Sequence, residues 1–249
     1  IARMSVQNEE ILYRMFGVNA ELLIDHAWGW EPVTVADIKA YRPEHRSLCS
    51  GQVLQEPYEF DKARLVVMEM VDQLALDLVE KRLTTDHLEL TVGYDVSNLT
   101  TPERRRAFSG AVRVNRYGRQ VPKEAHGSVR LEGHTASAGR IVGAVMPLFD
   151  RIVNRELLVR RITLGAGDIV PESAIPAESA VQPDLFADPE AEARKAEAEQ
   201  AELDRETRLQ HAILAVRKRL GKNALIKGMS LQEGATARQR NEQIGGHRK

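Results

Sequence analysis

The sequence predicts an α+β protein built around a ferredoxin-like β-α-β-β-α-β domain. Three observations predict it. Two long stretches, 61–83 and 137–153, carry apolar residues at helical spacing. Four shorter stretches, 47–55, 87–94, 127–133 and 157–164, read as strands. Their order along the chain is strand, helix, strand, strand, helix, strand, the split βαβ arrangement.

The elements follow in order. Residues 7–16 (QNEEILYRMF) look helical, and Gly17 stands where a left-handed residue would end the helix. Asn19 can cap a second short helix, Ala20 to Ala27. Leu12, Phe16, Leu22, Leu23 and Trp28 are too few for a core, so residues 1–30 read as the end of a helical domain that begins before Ile1. Residues 31–46, with Pro32 and Pro43 and little periodicity, read as an extended linker.

The central domain is expected over 47–170. Its first strand leads into helix 61–83, for which Asp61 is the expected cap and Phe60 with Leu65 a hydrophobic staple. The helix stripe is Leu65, Met68, Val71, Ala75, Leu78 and Val79. Strand 87–94 alternates, with Leu88, Leu90, Val92 and Tyr94 on one side, and strand 127–133 does so with Val129 and Leu131. Ser137 caps the second helix, whose stripe is Ile141, Val145, Leu148 and Ile152. Pro147 inside it costs about 3 kcal/mol relative to a good helix former, so a kink or a shorter helix is expected. Cys49, in the first strand, reads as small core filler.

Two helices covering one sheet face leave the other open. That face is expected to carry His87, Glu89, Thr91, Ser128, Arg130 and at least one of Arg160 and Arg161. Neighbouring strand residues point to opposite sides, so both arginines can lie there only if the strand twists or bulges. An excursion at 95–125 holds Arg104, Arg105, Arg106, Arg113, Arg116 and Arg119, interleaved with Phe108 and Tyr117. Cations track phosphates and aromatic rings stack on bases.

Composition narrows the function class. The formal charge is −1, but it is segregated: residues 100–125 hold seven basic side chains against two acidic, 168–206 three against twelve, and 208–249 ten against two. Such blocks point to an anionic partner for some parts and a solvated surface for others. No apolar run approaches the ~18 residues of a membrane span. One cysteine excludes an intrachain disulfide and fits a reducing cytoplasm. The histidines show no metal-ligand spacing.

The residues also carry a resemblance. FGVNAELLIDHAWGWEP, SGQVLQEPYEF, LTVGYDVSNLT, RYGRQVPKEAHGSVRL, LFDRIVNRELLVRRI and KNALIKGMSLQEGATARQRNEQIGGH, in this order and spacing, resemble the C-terminal part of bacterial Y-family translesion DNA polymerases, often labelled DNA repair proteins. The resemblance implies that 1–30 is the end of the thumb and 47–170 the little finger, which lays its open sheet face on primer-template DNA. It implies a DNA-directed polymerase as the parent, active in DNA damage repair and the SOS response. Arg160 and Arg161 match a paired basic position on the last strand that meets the DNA backbone, for which a guanidinium's planar fork is suited. Arg130, Arg113, Arg116 and Arg119 are further DNA-binding candidates. The family's two-metal phosphoryl transfer needs clustered carboxylates, and these belong to a palm preceding Ile1. No catalytic residue and no cofactor are assigned to this chain, with Mg²⁺ expected for the parent.

The tail completes the reading. Residues 171–190, rich in Pro, Ala and acid, are expected to be a disordered linker. Within them Gln182-Pro183-Asp184-Leu185-Phe186 resembles the peptide that binds the bacterial sliding clamp, with Gln182, Leu185 and Phe186 as its contacts. Residues 191–249 read as a helical, then basic, tail. The alternative is a stand-alone ferredoxin-like nucleic-acid or regulatory module. An RNA-reading sheet exposes aromatics on its central strands, and the expected open face has none.

Overall fold

The computed structural model describes residues 1–41, 47–115, 118–174, 189–244 and 247–248. It forms two units, Ile1–Glu44 and His45–Lys249.

In the first unit α1 (Ala2–Phe16) packs on α2 (Asn19–Ala27). α1 begins earlier than its apolar spacing indicates, and Asn8 breaks it with φ −166° and ψ 91°. Gly17 takes the expected positive φ, 58°, but its ψ of −144° leaves the left-handed helical region. Asn19 is not a cap: it lies inside α2, and Val18 precedes it without a side-chain bond. Leu12, Ala20 and Ile24 form the small core, and Trp28 Nε1 donates to Ser5 Oγ at 3.0 Å. The stretch 31–46 is not wholly extended, because α3 (Val35–Ala40) forms in it. Thr34 Oγ1 accepts from the Asp37 amide and Asp37 Oδ2 accepts from the Thr34 amide. This reciprocal capping box offsets the weak periodicity.

The second unit contains β1 (Leu48–Tyr58), α4 (Phe60–Lys81), β2 (Leu83–Tyr94), α5 (Ser97–Thr100), α6 (Pro102–Ala107), β3 (Val112–Val114), β4 (Gln120–Pro122), β5 (Ala125–Thr135), α7 (Ala138–Ile152), β6 (Val159–Gly167), β7 (Val170–Pro171), α8 (Pro189–Leu220) and α9 (Ala237–Asn241). The sheet order is β1-β6-β2-β5, all antiparallel, with β7 pairing the start of β2. The last strand of the β-α-β-β-α-β series thus lies between the first and second, and the domain is α+β as expected.

α4 and α7 cover one sheet face. Leu54, Leu88, Leu90, Val92, Val159, Ile162 and Leu164 point into the core and meet Val67, Leu74, Leu78, Ile141, Val145 and Phe149. Each such side chain, fully buried, contributes about 1.5–3 kcal/mol. Gly127 brings α7 close: a Cβ there would stand 3.0 Å from Leu148 Cδ1.

Several local expectations change. The buried stripe of α4 is Ala63, Val66, Val67, Met70, Val71, Leu74, Ala75 and Leu78, one step round from the expected one, with Leu65, Met68 and Val79 only half-buried. α4 meets the sheet, α7 and the tail, so it is apolar on several sides and periodicity alone does not choose among them. Asp61 is not its cap: Glu59 occupies that position without a side-chain bond, and Asp61 lies in the first turn, where a carboxylate suits the helix dipole. Ser137 does cap α7, accepting from the Arg140 amide. α7 runs through Pro147 to Ile152. Pro147 and Gly143, the residue whose carbonyl it leaves unpaired, are both exposed, so water can take the missing bond. Cys49 is exposed, not core filler, because its strand position faces away from the helices.

The tail forms a third layer outside α4. Glu206 accepts from Ser137 Oγ at 2.5 Å and from the Gly139 amide at 2.9 Å, and so adds to the cap of α7. Gln210 donates to the Ala136 carbonyl, Lys227 pairs with Asp72 at 2.8 Å, and Arg240 donates to Ser50 Oγ on β1. The basic end, Arg208 onward, thus answers the acids of α4.

Candidate nucleic-acid interface

The sheet face away from α4 and α7 is organised in rows across the strands. From one end they are Gly167, His87 and Arg130; then Cys49, Gly165, Glu89 and Ser128; then Gly51, Thr163, Thr91 and His126; then Val53, Arg161 and Gly93. Four glycines, Gly51, Gly93, Gly165 and Gly167, fall on this face, each in a different row; the His87 ring lies over Gly167 and the Arg161 side chain beside Gly93. A Cβ at Gly165 would meet nothing nearer than Glu89 Cβ at 3.9 Å, so the space above it is open. A glycine left open in this way lets another backbone approach closely. Thr91 Oγ1 and His126 Nδ1 lie 2.9 Å apart and tie β2 to β5 on this face.

β6 carries an irregularity where it matters most. Gly93 pairs with Arg161 but Tyr94 pairs with Val159, so Arg160 is an extra residue in the ladder. Val159 and Ile162 are both fully buried, and the two residues between them lie outside the core. A bulge of this kind bends the strand and re-aims side chains. It places Arg160 and Arg161 together off the core, which regular alternation forbids. Arg160 Nη1 donates to the Gln55 carbonyl at 2.9 Å, and its Nε lies 3.8 Å from Asp95 Oδ2. Arg161 is exposed and has no carboxylate partner among the described residues.

The other candidates divide. Arg130 is held by two acids, with Nη1 2.8 Å from Asp86 Oδ2 and Nη2 3.0 Å from Asp168 Oδ2. Arg113 is ion-paired with Glu124. Arg119 is exposed and pairs with no carboxylate among the described residues. Arg116, Tyr117 and the segment with Gln182, Leu185 and Phe186 lie outside the described residues.

The excursion is ordered by residues that spacing does not single out. Asn98 is fully buried; its Nδ2 donates to the Asp95 and Leu158 carbonyls and its Oδ1 accepts from the Leu158 amide. That pins α5 to the start of β6. The Asp95-to-Asn98 run is rich in turn formers, the one signal that could have found it. Phe108 does not serve as a stacking platform: it packs against the core, and α6 presents Arg104 to the Glu156 carbonyl instead. Asn154 donates its amide to the Tyr94 hydroxyl, and burial pushes that phenol's pKa up.

Among the described residues no helix is long and apolar enough to cross a membrane, and no cluster of three or more His, Cys, Asp or Glu could hold a metal ion. A search of curated proteins finds no match. The family model described as the impB/mucB/samB family C-terminal domain matches residues 45–185. The match takes in every strand of the main ladder and both covering helices, over more than half of the chain. By that match the chain belongs to the impB/mucB/samB family, as a C-terminal portion of a Y-family DNA polymerase.

Proposed function

We propose that this chain is the DNA-gripping and clamp-docking part of a translesion polymerase, its open sheet face seated on primer-template DNA. The observation that carries the reading is the bulge in β6, which sets two arginines side by side next to a face that is open at Gly165. Guanidinium groups of Arg160, Arg161 and Arg119 meet backbone phosphates, and the open ground above Gly165 lets the sugar-phosphate chain lie close. The catalytic carboxylates and their Mg²⁺ belong to the parent's palm, so the chain itself transfers no nucleotide. Gln182, Leu185 and Phe186 dock the parent on a sliding clamp. A reducing cytoplasm suits the exposed thiol of Cys49.

Titration of the 249-residue chain against a labelled primer-template duplex tests this. Affinity should fall with salt, and replacing Arg160 and Arg161 with Ala should lower the slope of log affinity against log salt by about 0.9 for each phosphate no longer neutralised. Gly165→Val, whose Cβ branch fits a strand but fills the open space at that position, should weaken binding while leaving the melting temperature nearly unchanged. Binding that ignores salt, or is untouched by all three substitutions, would sink the proposal.

A further inference from the structure

We infer that Arg130 is a latched DNA-backbone contact, restrained by Asp86 and Asp168 and released when His87 and His134 take up protons. The inference rests on the DNA-gripping reading of the same face.

Arg130 sits at the end of the face opposite Arg161, directly across from His87. Its two terminal nitrogens are divided between two carboxylates on different segments, Asp86 on β2 and Asp168 just after β6. Asp168 is held in a left-handed conformation, φ 47°, unusual for a residue with a Cβ. His87 Nδ1 lies 4.0 Å from Asp168 Oδ2, and His134 Nε2 lies 3.9 Å from Asp86 Oδ1. That Asp86 oxygen is buried and has no hydrogen-bond partner. Each carboxylate therefore has Arg130 on one side and an imidazole on the other.

Glu89 lies in the next row of the sheet, paired with Ser128 and Gly165. With both imidazoles neutral, Arg130 is matched against the two carboxylates that hold it, and the corner offers a polyanion no free cation. His134 Nε2 lies 3.1 Å from the Asp168 carbonyl. A carbonyl can only accept, so that nitrogen carries a hydrogen already and an added proton goes to Nδ1. Histidine as a class gains its proton between about pH 8 and 5. A charged His87 then shares Asp168 Oδ2 with Arg130, a charged His134 stands beside the other oxygen of Asp86, the hold on Arg130 is weakened, and the corner gains two positive charges. DNA phosphate can then take the freed guanidinium.

The test is binding of the 249-residue chain to a labelled primer-template duplex at fixed salt, at about pH 6 and about pH 8, the ends of the histidine range. Exposed charge pairs are individually weak, so the expected gain at the lower pH is about fivefold. His87→Gln with His134→Gln should remove most of that gain, and His126→Gln, on the same face but away from the latch, should keep it. Arg130→Ala should lose far more affinity at the lower pH than at the higher. Asp86→Asn should raise affinity at the higher pH, with circular dichroism checking its fold. A full pH response in the double-histidine variant, or an equal loss at both pH values in Arg130→Ala, overturns the latch. Absence of salt-dependent binding at either pH would instead overturn the DNA-gripping reading itself.

Discussion

Glu69 is the residue through which the tail can be detached from the body of the second unit. It lies on α4, is 4% exposed, and its Oε2 accepts from the Thr236 amide at 2.7 Å, the Ala237 amide at 3.1 Å and Thr236 Oγ1 at 3.3 Å. Glu69→Ala leaves two amides without their acceptor. Hydrogen bonds to a charged group are worth about 1.5–3 kcal/mol each. The lower end applies, because the carboxylate is itself desolvated and its Oε1 has no partner. Two amides at about 1.5 kcal/mol give about 3 kcal/mol, roughly a hundredfold in the opening equilibrium of the segment. The flanking pair of Lys62 and Glu233 is largely exposed and adds under about 1 kcal/mol. Native-state hydrogen exchange reads this directly. The amides of Thr236 and Ala237 should lose roughly a hundredfold in protection, while those of Leu88, Leu90 and Leu164 change little, because the tail opens as its own cooperative piece. Glu69→Gln, which keeps one acceptor oxygen, should fall between. Unchanged protection at Thr236 would refute the reasoning. So would an equal loss in the central strands, since the tail would then be part of the core's cooperative unit.

Two further outcomes are expected. Burial pushes the Asp77 carboxyl pKa up, against a smaller opposing effect of the hydrogen bond from Gln73. A carboxyl raised in the folded state holds its proton longer there than in the unfolded chain, so its contribution to stability declines as pH rises through the raised value. Asp77→Asn should therefore raise the melting temperature at neutral pH, with the gain vanishing in acid; an equal shift at both would contradict the burial argument. A peptide spanning 178–190 should bind sliding clamp from the same organism with roughly micromolar affinity, since burying Leu185 and Phe186 could yield about 1.5–3 kcal/mol each, offset by ordering the segment. Replacing both with Ala should abolish binding measured by calorimetry, and equal binding by that variant would make the motif irrelevant.

The parts of the fold that follow from local alternation were legible. Leu88, Leu90, Val92 and Tyr94 face the core as their spacing requires, and Ser137 caps α7. Where an element is covered on several sides, alternation says less, and α4 is the instance: its apolar residues go round the helix, and spacing alone puts its stripe one step off. The bulge at Arg160 was visible only as a condition, that two adjacent arginines could share a face if the ladder slipped. The neutralisation of Arg130 was not visible, because Asp86 and Asp168 are far from it in the chain and meet it only through the sheet. The open ground at Gly165 was hidden for the same reason. Gly165 lies on β6 between Cys49 on β1 and Glu89 on β2, and only the register of the ladder brings these neighbours together. The role of the basic tail also depended on distant partners, Glu69 and Asp72 on α4.

The extra residue in β6 separates two things that a regular strand binds together. With Arg160 absent, Val159 and Ile162 would still flank one outward position, and strict in-and-out alternation would hold across the whole strand. The hydrophobic layer therefore does not need that residue. Insertion of one position adds a cation to the face without moving a core side chain, and loss of it subtracts one. A lineage carrying this sheet can thus adjust how many positive groups it shows to a polyanion by changing chain length at a single place, leaving the packing of α4 and α7 out of the exchange.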